Sequence, residues 1–255
     1  MLLAIDVGNT HTVLGLYDGD KLEHHFRIQS DRNRTEDESH VLLVTLLHTV
    51  GLEPEDVDCS ILASVVPMLT DRIVRAVRRA FNHQTIVVGP GIKTGMPILY
   101  ENPKEVGADR IVNAIAAYER VRGGVIVVDF GTATTFDCVS NRGEYLGGVI
   151  APGISLSAEA LFAKAARLPK TEIVKPPHVL GRNTVQSMQS GLIFGYVGLV
   201  DGLVERLQVE IGYPCAVLAT GGEAPLIASE SKTIQESDEF LTLEGLKILF
   251  GRQHR

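Results

Sequence analysis

Apolar positions along this chain alternate between short strand-like runs and longer stretches of helical spacing. Residues 2–7 form a nearly unbroken apolar run, read as a buried strand. The tight turn Gly8-Asn9-Thr10 leads to a second strand over 12–17. After Asp18-Gly19-Asp20, residues 21–28 alternate as a third. Thr35-x-x-Glu38 is a capping box that opens a helix through Val50, ended by Gly51. A strand over 58–66, a helix over 68–81 and a strand over 85–88 follow. Leu69, Ile73, Val74 and Val77 give the helix its apolar face. Beyond the Gly/Pro-rich residues 89–97, the spacing predicts a helix over 109–121. The opening pattern then returns, with strands over 124–129, 134–139 and 144–150. Helices over 155–166 and 183–209, a strand over 216–220 and a helix from Leu243 complete the chain.

The return extends to single residues. Asp6-Val7-Gly8-Asn9-Thr10-His11-Thr12 matches Asp129-Phe130-Gly131-Thr132-Ala133-Thr134-Thr135, 123 residues further on, on the first hairpin of each meander. A period of half the chain implies duplication, not a solenoid. The expected halves are 1–120 and 121–255. Each copy sets an Asp at a strand end before a glycine turn bearing hydroxyl or amide side chains. Such a turn lets backbone N–H groups approach phosphate oxygens, and Asp6 can hold Mg²⁺ beside them. A third element, Val217-Leu-Ala-Thr-Gly-Gly-Glu223, is an apolar strand running into paired glycines, suited to packing a nucleotide base.

Composition narrows the field. The 255 residues are 45% apolar and 22% charged, so disordered and fibrous readings fall away. With no Trp and 5% aromatics, the core must be aliphatic. A net charge of −7 without a dense basic block speaks against nucleic-acid binding. Cys59, Cys138 and Cys215 are isolated, which fits neither a disulfide framework nor a zinc site. Asp6 interrupts the N-terminal apolar run and no stretch reaches a membrane span, so a cytoplasmic protein is expected. Asn33-Arg34-Thr35 is a chance glycosylation string in that setting. Of the histidines, only His11, inside the first phosphate turn, is a candidate for touching a nucleotide.

The three elements, in this order, resemble the phosphate-1, phosphate-2 and adenosine motifs of the acetate and sugar kinase, Hsp70 and actin superfamily. Within it the chain resembles the type III pantothenate kinases. The resemblance spans nearly the whole chain on six signatures: the Asp6 turn, Gly89-Pro-Gly-Ile-Lys-Thr-Gly-Met-Pro97, Tyr100-x-Asn-Pro, Gly107-Ala-Asp-Arg110, Val128-Asp-Phe-Gly-Thr-Ala-Thr134 and Gly147-Gly-Val-Ile-Ala-Pro-Gly153. No G-x-x-x-x-G-K-[ST] string supports a P-loop kinase instead.

The resemblance implies an α/β protein with a duplicated ribonuclease H-like (actin-like ATPase) fold, each half a mixed five-stranded sheet with helices, and an active site between the halves. It implies transfer of a phosphoryl group from ATP to pantothenate, the first step of coenzyme A biosynthesis. Asp109 is then the base for the pantothenate hydroxyl. Asp6, Val7, Gly8, Asn9, Thr10, His11, Thr12, Val13 and Thr132 bind ATP. Tyr100, Gly107, Ala108, Asp109, Arg110 and Thr184 bind pantothenate. Arg110 could meet pantothenate or the transferring phosphoryl group. Asp129 is implied to hold K⁺ or NH₄⁺, its alternative being a Mg²⁺ or phosphate-motif carboxylate. Gly191, Gly195, Gly198 and Gly202 share a helix face, through internal packing or, as the resemblance favours, in a homodimer. A non-catalytic regulator and a phosphatase on the same fold are the alternative functions.

Overall fold

The computed structural model describes residues 1–165 and 168–253. In chain order it contains β1 (Leu2–Val7), β2 (His11–Asp18), β3 (Lys21–Gln29), α1 (Glu36–Thr49), β4 (Cys59–Ser64), α2 (Pro67–Phe81), β5 (Thr85–Val87) and α3 (Ala108–Val121). The second run is β6 (Val125–Phe130), β7 (Ala133–Val139), β8 (Tyr145–Pro152), α4 (Ile154–Lys164), α5 (Thr184–Ile211), β9 (Ala216–Gly221), α6 (Ala224–Ala228), β10 (Glu236–Ser237) and α7 (Leu241–Gln253). Ala166, the expected end of the fourth helix, and His254 lie outside the described residues.

The two sheets have the same topology. One has the order β3-β2-β1-β4-β5 and the other β8-β7-β6-β9-β10. In each, three strands form an antiparallel meander and the last two run parallel to its first strand. The expected mixed five-stranded sheets are therefore present. The two-residue β10 is too short to show a sequence period, which is why only four strands of the second sheet were legible.

By contacts the chain forms two compact units. The first comprises residues 1–95, 101–116 and 242–255, and the second 96–100 and 117–241. The first is built around Ile5, Val7, Leu16, Leu62 and Val77. The second is built around Ile126, Val128, Phe136, Ile193 and Val217. Both cores are chiefly aliphatic, as a chain without Trp requires.

Glycines decide where elements can meet. In the first unit, α7 lies on β2 and α3. A Cβ at Gly15 would come 2.7 Å from Leu243 Cδ1, and one at Gly245 would come 2.2 Å from the Val112 carbonyl oxygen. Thr242 Oγ1 donates to Asn113 Oδ1 at 2.7 Å, and Arg252 donates to the Thr94 carbonyl. The capping box on α1 is complete: Glu38 N donates to Thr35 Oγ1, and Thr35 N to Glu38 Oε2.

Candidate active site

In the first unit, the β1–β2 turn is closed by Gly8 N donating to the His11 carbonyl at 3.0 Å. A Cβ at Gly8 would stand 2.9 Å from that oxygen, so the close turn depends on glycine. Asn9, Thr10 and His11 are exposed on it, and Asp6 is half-buried at the strand end. Val7 and Thr12 point the other way. Thr12 is 2% exposed, and its hydroxyl shares a 2.8 Å hydrogen bond with Ser30. Val7 and Thr12 therefore shape the turn from beneath. Ser30 N also donates to the Thr10 carbonyl, and Arg32 Nη2 donates to Asn9 Oδ1 at 3.2 Å. The sequence reading missed Ser30 and Arg32, because residues some twenty positions away carry no local signal for contact with a turn.

Asp109 sits in the first turn of α3. Its Oδ1 folds back to accept from Arg110 N at 2.8 Å. Only glycine at 107 permits this, since a Cβ there would lie 2.5 Å from the same oxygen. Burial raises the Asp109 carboxyl above the ordinary carboxylate range, against the opposing pull of the Arg110 N–H and guanidinium. Arg110 is itself buried. The site thus holds a desolvated carboxylate whose charge is only partly compensated, which suits a base.

In the second unit, Asp129 is the penultimate residue of β6, followed by Phe130 and the exposed Gly131 and Thr132 of the turn. Gly131 N donates to the Ala133 carbonyl, and Gly153 N to the Thr132 carbonyl, both at 3.1 Å. Gly221, at φ 94°, ends β9 beside Asp129, where a Cβ would sit 2.8 Å from Asp129 Oδ1 and 2.4 Å from the Phe130 carbonyl oxygen. Of the paired glycines in the third element, Gly221 thus lets β9 close on the acidic strand end, whereas a Cβ at Gly222 would meet nothing within 4 Å. Tyr100 is half-buried in the same unit. Its motif is a local turn, with Asn102 Oδ1 accepting from Lys104 N and Nδ2 donating to Glu105. Thr184 is the exposed first residue of α5, capped by Asn183, whose Oδ1 accepts from Gln186 N.

No group of three or more His, Cys, Asp or Glu side chains among the described residues could hold a metal ion on its own. Asp6 and Asp129 are single hard oxygen donors beside turns rich in backbone carbonyls. That donor set fits Mg²⁺ bound mainly through phosphates and water, and a weakly held monovalent cation.

Duplicated sheets with matching acidic hairpins place the protein among those of the duplicated ribonuclease H-like fold. An inorganic polyphosphate/ATP-glucomannokinase from Arthrobacter aligns over 99% of both chains with TM-score 0.53 and 15% identity. A ROK hexokinase from Thermus thermophilus aligns over 97% of both, with TM-score 0.50 and 14% identity. The sequence model of the type III pantothenate kinases matches residues 2–206, and the chain belongs to that family. The Myxococcus xanthus type III pantothenate kinase is 58% identical over 254 residues, covering 100% of this chain and 99% of that protein. The one from Moorella thermoacetica is 53% identical over 252 residues, covering 99% of each. The protein is a kinase that phosphorylates pantothenate with ATP, opening coenzyme A biosynthesis. The regulator and phosphatase readings give way to this one.

Proposed function

We propose that Asp109 is the base of this reaction. The observation that carries the reading is its carboxylate, desolvated and held at the start of α3 in a pose that only Gly107 allows. Asp109 accepts the proton of the pantothenate primary hydroxyl as that oxygen attacks the γ-phosphorus of ATP in line and ADP leaves. Little covalent work falls to the protein, so the other residues position and neutralise charge. Gly8, Asn9, Thr10 and His11 offer turn N–H groups and exposed polar side chains to the ATP phosphates. Val7 and Thr12 hold the turn in shape, Val13, on the face of Asp6, contacts ATP, and Thr132 contributes a hydroxyl. Tyr100, Gly107, Ala108, Arg110 and Thr184 form the pantothenate contacts, with the tyrosine ring against the dimethyl group. Asp6 would hold Mg²⁺ with the phosphates and Asp129 a K⁺ or NH₄⁺ ion; bound there, the cations neutralise phosphate charge.

We assign the active form as a homodimer in the cytoplasm. A Cβ at Gly191, Gly195 or Gly198 would meet nothing within 4 Å, so packing inside the chain does not require these glycines. Their open face on α5 supports contact with a second copy. Among the described residues no helix is long and apolar enough to cross a membrane.

The test is ATP-dependent phosphorylation of pantothenate, with and without monovalent cations. Wild type should need K⁺ or NH₄⁺, and Asp109→Asn should lose at least about a hundredfold in kcat. An active Asn variant removes the base assignment, and full activity without monovalent cations removes the Asp129 one.

A further inference from the structure

One buried carboxylate has no place in the chemistry above. Asp137, on β7 of the second unit, is 0% exposed. An isolated charge there is costly unless hydrogen bonds compensate it. Its Oδ1 accepts from the hydroxyl of Tyr145 at 2.7 Å, and its Oδ2 from Thr135 Oγ1 at 3.3 Å. Tyr145 is also 0% exposed, so ring and hydroxyl are both fixed. A register shift between Cys138 and Val139 sets Tyr145 opposite Val139, bringing its side chain to the same side of the sheet as Asp137.

What Tyr145 holds is the segment that ends in Tyr100. Tyr145 N donates to the Pro97 carbonyl at 2.8 Å, and its carbonyl accepts from Leu99 N at 2.8 Å, making a parallel bridge with Ile98. The Tyr100 and Tyr145 rings are tilted by 56° with centroids 6.4 Å apart. Tyr100 also runs past Gly147, where a Cβ would lie 3.7 Å from its ring. Residues 96–100 lie outside the named helices and strands, so their place is inherited from these contacts.

We infer that the buried Asp137–Tyr145 pair is a positioning device for pantothenate, fixing the segment that presents Tyr100. The inference rests on the reading of Tyr100 as a pantothenate contact. Neither Asp137 nor Tyr145 touches the reacting atoms; the pair acts through Tyr100 and so governs one substrate only.

Steady-state kinetics of the full chain with each substrate varied provide the test, with a thermal melt for each variant. Tyr145→Phe should raise the pantothenate KM about tenfold, as expected for a displaced binding group, with the ATP KM within about twofold. Asp137→Asn keeps an acceptor oxygen for the tyrosine hydroxyl and should stay within about threefold of wild type. Leu99→Pro removes the Leu99 donor from an exposed position without disturbing the core. It should raise the pantothenate KM in the same selective way, and it decides the matter if Tyr145→Phe does not fold. An unchanged pantothenate KM in folded Tyr145→Phe or Leu99→Pro, beside a raised one in Tyr100→Ala, overturns the positioning role alone. Equal rises in both KM values overturn it too, as general loosening. An unaffected Tyr100→Ala overturns the Tyr100 reading and this inference together.

Discussion

Gly107 and Asp109 form a unit in which the missing side chain matters as much as the charged one. Gly107→Ala would push a methyl into the space of Asp109 Oδ1, 2.5 Å away. We expect kcat to fall about tenfold to a hundredfold, since a misplacement near 1 Å costs that much; a near-normal kcat would show that the folded-back carboxylate is not the working pose. Asp109 also links stability to pH. Its folded pKa lies above the unfolded value, so the native state holds the extra proton between the two. Its contribution to stability is complete below the unfolded value and is lost as pH rises through the folded one. Asp109→Asn should therefore melt at a higher temperature than wild type at neutral pH, with the difference shrinking toward acid. In wild type, kcat/KM for pantothenate should fall on the acid side at a pH above the ordinary carboxylate range. The motif Gly107-Ala-Asp-Arg was legible in the sequence; the direction in which the carboxylate folds was not, because it depends on side-chain packing.

Among the elements, α7 and α5 use glycine in opposite ways. On α7, Gly245 is pressed against the Val112 carbonyl of α3, whereas Gly251 meets nothing within 4 Å. Gly245→Ala should destabilise by about 1–3 kcal/mol or more through overpacking against backbone. Gly251→Ala, at an open helical position, should stabilise by about 0.5–1 kcal/mol; thermal or urea melts of the pair will show the opposite signs. On α5 the open glycines make a separate prediction. Gly195→Leu should leave the melting of the isolated chain intact but shift size-exclusion elution toward the monomer and reduce activity. A variant that elutes as wild type would remove α5 from the dimer interface. Sequence spacing put these glycines on one face but left internal packing and self-association both open. Their surroundings show that packing inside the chain does not require Gly191, Gly195 or Gly198, and the elution test addresses self-association. The start of α1 was readable because chemistry marks it, Thr35 opening the helix through its capping box, whereas α5 runs on to a C-cap at Gly212, at φ 86°. The expected end at Val209 fell short because the last turn offers no break before that glycine.

For the whole molecule, the duplication carries the argument. A chain of net charge −7 acts on two anionic substrates, so attraction must be local; the sources proposed for it are turn N–H groups, Arg110 and bound cations. The sequence by itself determined the duplication, the order of the longer strands and helices without α6 and β10, and the acidic glycine turns. Each of these is written in short-range periodicity and in residues with one conformational use. Tertiary structure alone decided that α7 packs on the first unit, that Thr12 faces inward to Ser30, and that Asp137 and Tyr145 anchor the Tyr100 segment. These are contacts between residues distant in the chain or buried beneath a sheet. Their energy comes from burial and hydrogen-bond satisfaction in three dimensions, which no local pattern encodes.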